Sequence, residues 1–284
     1  LDSCIFDNCH VAAKPHWKKF LFEDVNDQSA VYLQAIQESD VVIHLAAMVG
    51  AGICVKHPTL AQKTNADSVR WLVDQLRPDQ YLAIPDSNSA YGTTPPGVIA
   101  DEDYPMTPLS LYAKTKLEGE KIALEHPNSF VPRLATVYGV SPRMRLDLIV
   151  NFITLQCFVH KKFELFAGHT RRNYVHISDV ADMFAHAIDN NLTGVFNFGN
   201  DEINCTKAEL VTKVREHLDF DLTYSDKEDS DKRDYEISSK KMRDTGFTAS
   251  RDLSYGIKEL IEFYKTFPKN PAELSFFTRN FRNA

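Results

Sequence analysis

Tyr112 and Lys116, in the stretch Ser110-Leu111-Tyr112-Ala113-Lys114-Thr115-Lys116, are the residues whose types and spacing most directly suggest chemistry. Four residues is just over one helical turn, so a phenol and an ammonium share one helix face. An ammonium beside a phenolate stabilises it, which predicts a lowered tyrosine pKa and a general base near neutral pH. Such a base can take a hydroxyl proton while hydride leaves the same carbon. Tyr and Lys at this spacing also occur on ordinary solvated helices, so the surroundings must carry the reading. Upstream, the apolar run Tyr81-Leu82-Ala83-Ile84-Pro85 reads as a strand, followed by the polar turn Asp86-Ser87-Asn88-Ser89-Ala90-Tyr91-Gly92. That turn sets hydroxyls at the carboxyl end of a strand, the edge where parallel α/β sheets bind ligands.

The elements that would hold these groups alternate along the chain. Strand-like stretches at 19–23, 40–45, 81–84 and 130–134 are separated by helical patterns at 28–38, 58–77 and 108–126. This is the rhythm of an α/β fold with a Rossmann-like, doubly wound parallel sheet. The helix carrying Tyr112 is expected to start with Thr107 as N-cap and Pro108 at its first position, and to end at Pro127 and Asn128. After Gly139 the pattern is less regular, with helices at 146–160, 178–190, 206–217 and 254–266 and strands at 173–177 and 195–198. The expected division is a nucleotide-binding domain of residues 1–137 and 173–200, a smaller α/β substrate lobe of 138–172 and 201–267, and a tail of 268–284.

With 284 residues, 43% apolar and 25% charged, the chain can bury a full core. A net charge of −7 and a pI of about 5.8 give no electrostatic reason to expect nucleic acid or an anionic membrane surface as partner. The five cysteines, Cys4, Cys9, Cys54, Cys157 and Cys205, form no disulfide framework and point to a reducing, cytoplasmic setting. Cys4, Cys9 and His10 lie close together, but no second Cys/His pair completes a metal site. There is no apolar run of membrane-spanning length and no signal-peptide pattern.

Over nearly its whole length the sequence resembles the extended short-chain dehydrogenase/reductases of the NAD-dependent epimerase/dehydratase family, which act on nucleotide sugars. Ser87 takes the place of the catalytic Ser/Thr, four residues before Tyr91 of the pair Tyr91-Gly92. Asp2 resembles the acidic residue that holds the adenosine ribose hydroxyls and favours NAD over NADP, and Asp24-Val25 resembles the adenine-contacting pair. His44-Leu45-Ala46-Ala47 looks like the H-x-A-A turn, in which Leu45, Ala46 and Ala47 flank the cofactor, as does the helix-borne Asn65. Arg133 and Tyr138-Gly139 match the segment after the sixth strand. The resemblance implies NAD as cofactor, a nucleoside diphosphate sugar as substrate, and a homodimer paired through the helices at 58–77 and 108–126. The family's glycine-rich turn, which holds the pyrophosphate at a helix N-terminus, has no counterpart here. About thirty leading residues are therefore read as absent, and the chain as written is expected to bind NAD weakly.

By the same resemblance Tyr112 accepts the hydroxyl proton, Lys116 stabilises the phenolate and holds the nicotinamide ribose, and Ser87 hydrogen-bonds the reacting oxygen. Dehydratases of the family follow that serine with an Asp-Glu pair, whereas Asn88 and Ser89 stand here as groups that would line the substrate. Relatives that epimerise beside the carbonyl carry a cysteine where Ser89 stands. Oxidation to a 4-ketone and 4-epimerisation remain. Arg172 and Arg233 match phosphate-binding positions, and Arg143, Arg145 and Asn151 are expected nearby, since bidentate guanidinium suits phosphate. His176 is expected to cap the helix starting at Ser178, and Ser225–Asp234 to form a solvated loop. The strings Arg133 to Gly139, Ser141 to Leu148, Arg171 to His176 and Asp231 to Tyr235 give a narrower likeness to the GDP-heptose 4-dehydrogenases of bacterial capsule synthesis. A non-catalytic sensor built on the same fold is the alternative of another class.

Overall fold

The central strands are buried on both faces, so successive residues pack under helices on opposite sides of the sheet. The computed structural model describes residues 21–141, 144–229 and 231–266. Ser29 opens α1 (Ala30–Gln37), its hydroxyl accepting from Tyr32 N at 3.1 Å. β1 (Val41–Ile43) and α2 (Ala51–Lys56) follow, then α3 (Pro58–Gln62), a π-helical turn (Lys63–Asp67) and α4 (Ser68–Gln75) in one continuous helical run. β2 (Tyr81–Ala83) and β3 (Asp86–Ser87) are two parts of one line broken at Pro85, and β4 (Ile99–Ala100) precedes α5 (Leu111–Ala123). Next come β5 (Ser129–Leu134), β6 (Thr136–Tyr138), α6 (Ile149–His160), β7 (Lys162–Leu165), β8 (Arg171–His176), α7 (Ile177–Asp189) and β9 (Gly194–Phe198). The described chain closes with β10 (Asn200–Thr206), α8 (Lys207–Arg215), β11 (Asp221–Tyr224), β12 (Glu236–Ile237), α9 (Lys240–Arg243) and α10 (Leu253–Tyr264).

The main sheet is wholly parallel, running from β1 through β2 and β3 to β5 and then β9. Leu82 and Val131 point to a cluster with Tyr32, Val69 and Leu72, while Ala83 and Phe130 point to one with Met183, Phe184 and Phe198. This two-sided burial is what a parallel sheet with helices on both faces requires. β5 passes through Ala135 into β6, and β9 through Gly199 into β10, so two strands of the main sheet extend directly into a second sheet of order β10-β8-β6. That lobe packs Tyr138, Val150, Ile153, Leu210, Leu260 and Tyr264 into its own core.

Several expectations need correction. Residues 21–23 carry no strand, and the rest of the predicted 19–23 strand lies outside the described residues, as does the tail from 268. The helix of Tyr112 starts at Leu111 behind Ser110, not behind Thr107. Of the stretch 173–200 assigned to the nucleotide-binding domain, β9 joins the main sheet, whereas β8 pairs with β6 and β10. Among the described residues no helix is long and apolar enough to cross a membrane, and no group of His, Cys, Asp and Glu could hold a metal ion.

Candidate active site

The first turn of α5 is anchored by Ser110, whose hydroxyl accepts from Ala113 N at 3.1 Å. Tyr112, Lys116 and Glu120 then recur every four residues and lie on one face, turned toward β3. Ser87, on the strand β3 that α5 packs against, neighbours the Tyr112 phenol and pulls its pKa down. Ser87 in turn sits 2.6 Å from the Ser89 hydroxyl and caps the one-turn 3-10 helix Asn88–Tyr91. The serine, tyrosine and lysine singled out in the sequence therefore converge at the carboxyl end of the broken β2–β3 strand.

Their electrostatics differ from the expectation. Burial pushes the Tyr112 phenol up to about 12, the charge of Asp86 adds to that, and the Ser87 side chain and the Arg145 and Arg233 guanidiniums pull the other way. The Lys116 ammonium is buried, with Asp86 and Glu120 as the charges that act on it. Burial pulls the Lys116 pKa down, and those two carboxylates oppose the shift. Asp86 is itself buried, which holds its carboxyl well above the usual range against the pull of Lys116. His44, also buried and near Lys116, is driven down to about 3 by burial first and by the lysine charge second. Its Nε2 has no hydrogen-bond partner among the described residues.

Below this cluster Glu120 takes Arg133 through Nε at 2.9 Å and Nη2 at 2.7 Å. Arg133 Nη1 donates to the Tyr91 hydroxyl at 2.8 Å and to Glu102 O at 3.0 Å, with the guanidinium 5.4 Å from the Tyr91 ring centre. Arg133 thus ties β5 to α5. His44, Asp86, Glu120 and Arg133 were not read as site residues from the sequence. The signal that could have found Glu120 is its place one turn beyond Lys116 in the same series.

Several predicted contact residues turn out to hold the scaffold. Asn65, on the π-helical turn, accepts from Met48 N at 2.7 Å and donates to Met48 O and Thr115 Oγ1 at 3.0 Å each, binding the 44–48 loop to α5. Gly119 permits this approach, since a Cβ there would lie 2.3 Å from Asn65 O. Asn88 is fully buried, and its amide, turned to satisfy both groups, donates to Arg133 O at 3.0 Å and accepts from Ala135 N at 3.2 Å. Ser89 is buried behind Ser87. Asn151 accepts from Gly139 N at 3.1 Å and donates to Arg145 O at 3.0 Å, so it sets the loop that carries Arg145. Val25 is a core residue, and Asp24 accepts from Asn26 N and Nδ2 at 2.8 Å in a local turn. Asp2 and Arg143 lie outside the described residues. His176 caps α7 as expected, accepting from Ser178 N at 3.2 Å, and also meets Glu259 at 2.9 Å.

The residues present fit part of an NAD site. Lys116 is a buried ammonium that donates no hydrogen bond to a described residue, and it stands one turn from Tyr112. Ala46 and Ala47 are partly exposed and Leu45 is exposed, past the carboxyl end of β1. Those positions could face the nicotinamide ribose and the cofactor's flank.

A cavity of about 250 Å³ is lined by Arg145, Arg172, Lys207 and Arg233 together with Asp147, Asp229 and Asp231, and the charges of Arg145 and Arg233 act on the Tyr112 phenol. Arg145 pairs with Asp147 at 2.5 Å, Lys207 with Asp229 at 2.7 Å, and Arg172 with Asp231 at 3.2 Å. Ser225–Asp234 is therefore no free solvated loop, because three of its aspartates, Asp229, Asp231 and Asp234, are ion-paired to this lobe. Arg171, by contrast, is fixed to Asp234 at 2.9 Å and Glu236 at 2.8 Å and serves the scaffold.

The profile of the NAD dependent epimerase/dehydratase family matches residues 6–199. Methionine adenosyltransferase 2 subunit beta of Bos taurus is 29% identical over 205 residues, covering 68% of this chain and 60% of that protein. UDP-glucuronate 4-epimerase 4 of Arabidopsis thaliana is 25% identical over 285 residues, covering 86% and 62%. The chain thus spans less than two thirds of the length of these relatives. Among solved structures, the UDP-glucose 4-epimerase of Thermus thermophilus in complex with NAD superposes with a TM-score of 0.78 at 23% identity, over 89% of this chain and 86% of that one. MoeE5 in complex with UDP-glucuronic acid and NAD superposes with a TM-score of 0.73 at 22% identity, over 86% and 85%. At these identities the likeness is one of fold.

Proposed function

The chain belongs to the NAD dependent epimerase/dehydratase family, and from that premise we propose that it oxidises the C4 hydroxyl of a nucleoside diphosphate sugar to a 4-ketone. The observation that carries the reading is the convergence of Ser87 on β3 with Tyr112 and Lys116, one turn apart on the helix α5 packed against it. NAD, when bound, supplies the hydride acceptor. Ser87 donates to the reacting oxygen and fixes its distance from Tyr112. Tyr112, as phenolate, takes the hydroxyl proton as the C4–H bond breaks with its electron pair. Arg145 and Arg233 favour that phenolate, while burial and Asp86 oppose it, so turnover should rise toward alkaline pH. Lys116 holds a positive charge at the base of the site. Asn88 and Ser89 supply neither an acid nor a base, which argues against dehydration.

The substrate in this reading is a GDP-heptose-type sugar nucleotide, on the strength of the strings around Arg133, Ser141, Arg171 and Asp231. A 4-epimerase is the second reading, favoured by the likeness to UDP-glucuronate 4-epimerase 4. A regulatory protein of the same fold is the third, favoured by the likeness to an enzyme's beta subunit. A homodimer through the helices at 58–77 (α3, the π-helical turn and α4) and 108–126 (α5), and a cytoplasmic setting, belong to the same proposal. The test is incubation with GDP-heptose, GDP-mannose and UDP-sugars plus NAD and a 2-oxo acid, followed by mass spectrometry and NMR. Loss of two hydrogens supports the 4-dehydrogenase. Unchanged mass with altered couplings at C4 replaces it with epimerisation, and no change with any sugar nucleotide overturns both.

A further inference from the structure

In the cavity lined by Arg145, Arg172, Lys207 and Arg233 these four cationic side chains face three carboxylates, and every cation already has a partner. Two of the pairings are one to one, Arg145 with Asp147 and Lys207 with Asp229. Asp231 differs because it serves two guanidiniums, lying 3.2 Å from Arg172 Nη2 and 2.8 and 2.5 Å from Arg233 Nε and Nη2. Arg172 is held independently of it: Nη1 donates to Arg171 O at 2.7 Å and to Arg233 O, and the guanidinium lies 5.3 Å from the Tyr235 ring centre. Asp231 is on a segment without helix or strand and its side chain is 37% exposed, the most accessible member of the cluster it forms with Arg172, Arg233 and Tyr235.

A nucleoside diphosphate ester brings two negative charges, and a phosphate group presents oxygens in the same fork geometry as a carboxylate. It cannot gain those guanidiniums while Asp231 retains both. We propose that Asp231 is a displaceable internal counter-ion, which keeps Arg172 and Arg233 aligned when the cavity holds no anion and yields them to the ligand's phosphates. This rests on the reading above that the cavity takes the diphosphate. The consequence is selectivity for a ligand with two linked phosphate groups, one for each guanidinium. A single phosphate displaces a carboxylate that was making two contacts and reaches only one of the guanidiniums it frees.

The test is calorimetric titration of the protein with GDP and UDP, with GMP and UMP as single-phosphate controls, for wild type, Asp231→Asn and Asp231→Ser. Both variants remove the charge. The serine also keeps an oxygen to accept from Arg233 N, which Asp231 Oδ1 now does at 3.2 Å, so one variant should preserve the turn, as checked by far-UV circular dichroism. The expected result is about five- to tenfold tighter binding of GDP and UDP by a folded variant, with a smaller gain for the monophosphates, as fits partly exposed pairs. Binding equal to or weaker than wild type in a folded variant overturns the counter-ion role. Failure of wild type and variants alike to bind any nucleoside diphosphate overturns instead the reading that the cavity is a diphosphate site.

Discussion

Glu120→Ala tests how α5 is held. Glu120 and Arg133 are almost wholly buried, their side chains 3% and 5% exposed, and share two hydrogen bonds of 2.9 and 2.7 Å. Removing the carboxylate leaves a buried guanidinium with the Tyr91 hydroxyl and Glu102 O as partners. Breaking a buried pair in this way costs about 3–5 kcal/mol. Some of that is offset because Asp86, whose pKa is raised in part by Glu120, becomes easier to ionise beside Lys116. A net loss of about 3 kcal/mol follows, which lowers Tm by about 6–12 °C in a chain of this size. Glu120→Gln keeps the shape and one acceptor and should lose less, about 1–3 kcal/mol. Replacing both partners, Glu120→Leu with Arg133→Met, should recover part of the loss because no buried charge is left unpaired. Thermal and urea unfolding followed by far-UV circular dichroism measure all three. An alanine variant within about 1 kcal/mol of wild type, or a double variant less stable than Glu120→Ala, would refute the claim that this pair anchors α5 to β5.

Three further outcomes are expected. Tyr112→Phe should cut turnover by about a hundredfold or more with a stability change under about 1 kcal/mol, since it deletes one hydroxyl and leaves the ring packing in place; steady-state rates near wild type would remove Tyr112 as base. His44 has its pKa lowered from 6.5 to about 3 by burial and by Lys116, so the stability it contributes is fully present above pH 6.5 and is lost as pH falls from there toward 3. Urea midpoints between pH 7 and pH 4 should therefore fall more steeply for wild type than for His44→Gln, and parallel curves would show that His44 is not buried neutral. Gly119→Ala sets a Cβ 2.3 Å from Asn65 O, so it should cost about 1–3 kcal/mol and reduce activity by shifting the 44–48 loop; an unchanged Tm would mean that α5 and the π-helical turn are not in such close contact.

The chemistry at the top of α5 was legible because Tyr112, Lys116 and Ser87 are placed by strong local signals, a helical period and a strand followed by a polar turn. The start of that helix was not. Pro108 after Thr107 imitates an N-terminus, but Thr107 Oγ1 donates to Tyr91 O at 2.9 Å, and Ser110 provides the cap. Helix α2 was missed because six residues between Gly50 and Pro58 give too little periodicity. Strands β4, β6, β7, β11 and β12, of two to four residues each, leave no alternation to read. The larger gap is electrostatic. Asp86 beside Lys116, Arg133 on Glu120 and Asp231 on Arg172 are pairings between different elements, and the sequence carries the charges but not their partners. Burial then reversed the expected shift of Tyr112, a desolvation effect that the Tyr–Lys spacing alone cannot express.

The central claim is that hydride leaves C4 of a nucleotide sugar as Tyr112 takes the hydroxyl proton. A GDP- or UDP-sugar carrying deuterium at C4, incubated with the protein and NAD, tests it directly when the nicotinamide is isolated and examined by mass spectrometry. The account predicts deuterium on the nicotinamide ring with wild type and its loss with Tyr112→Phe. A sugar that is converted while its C4 deuterium never reaches the nicotinamide would contradict it.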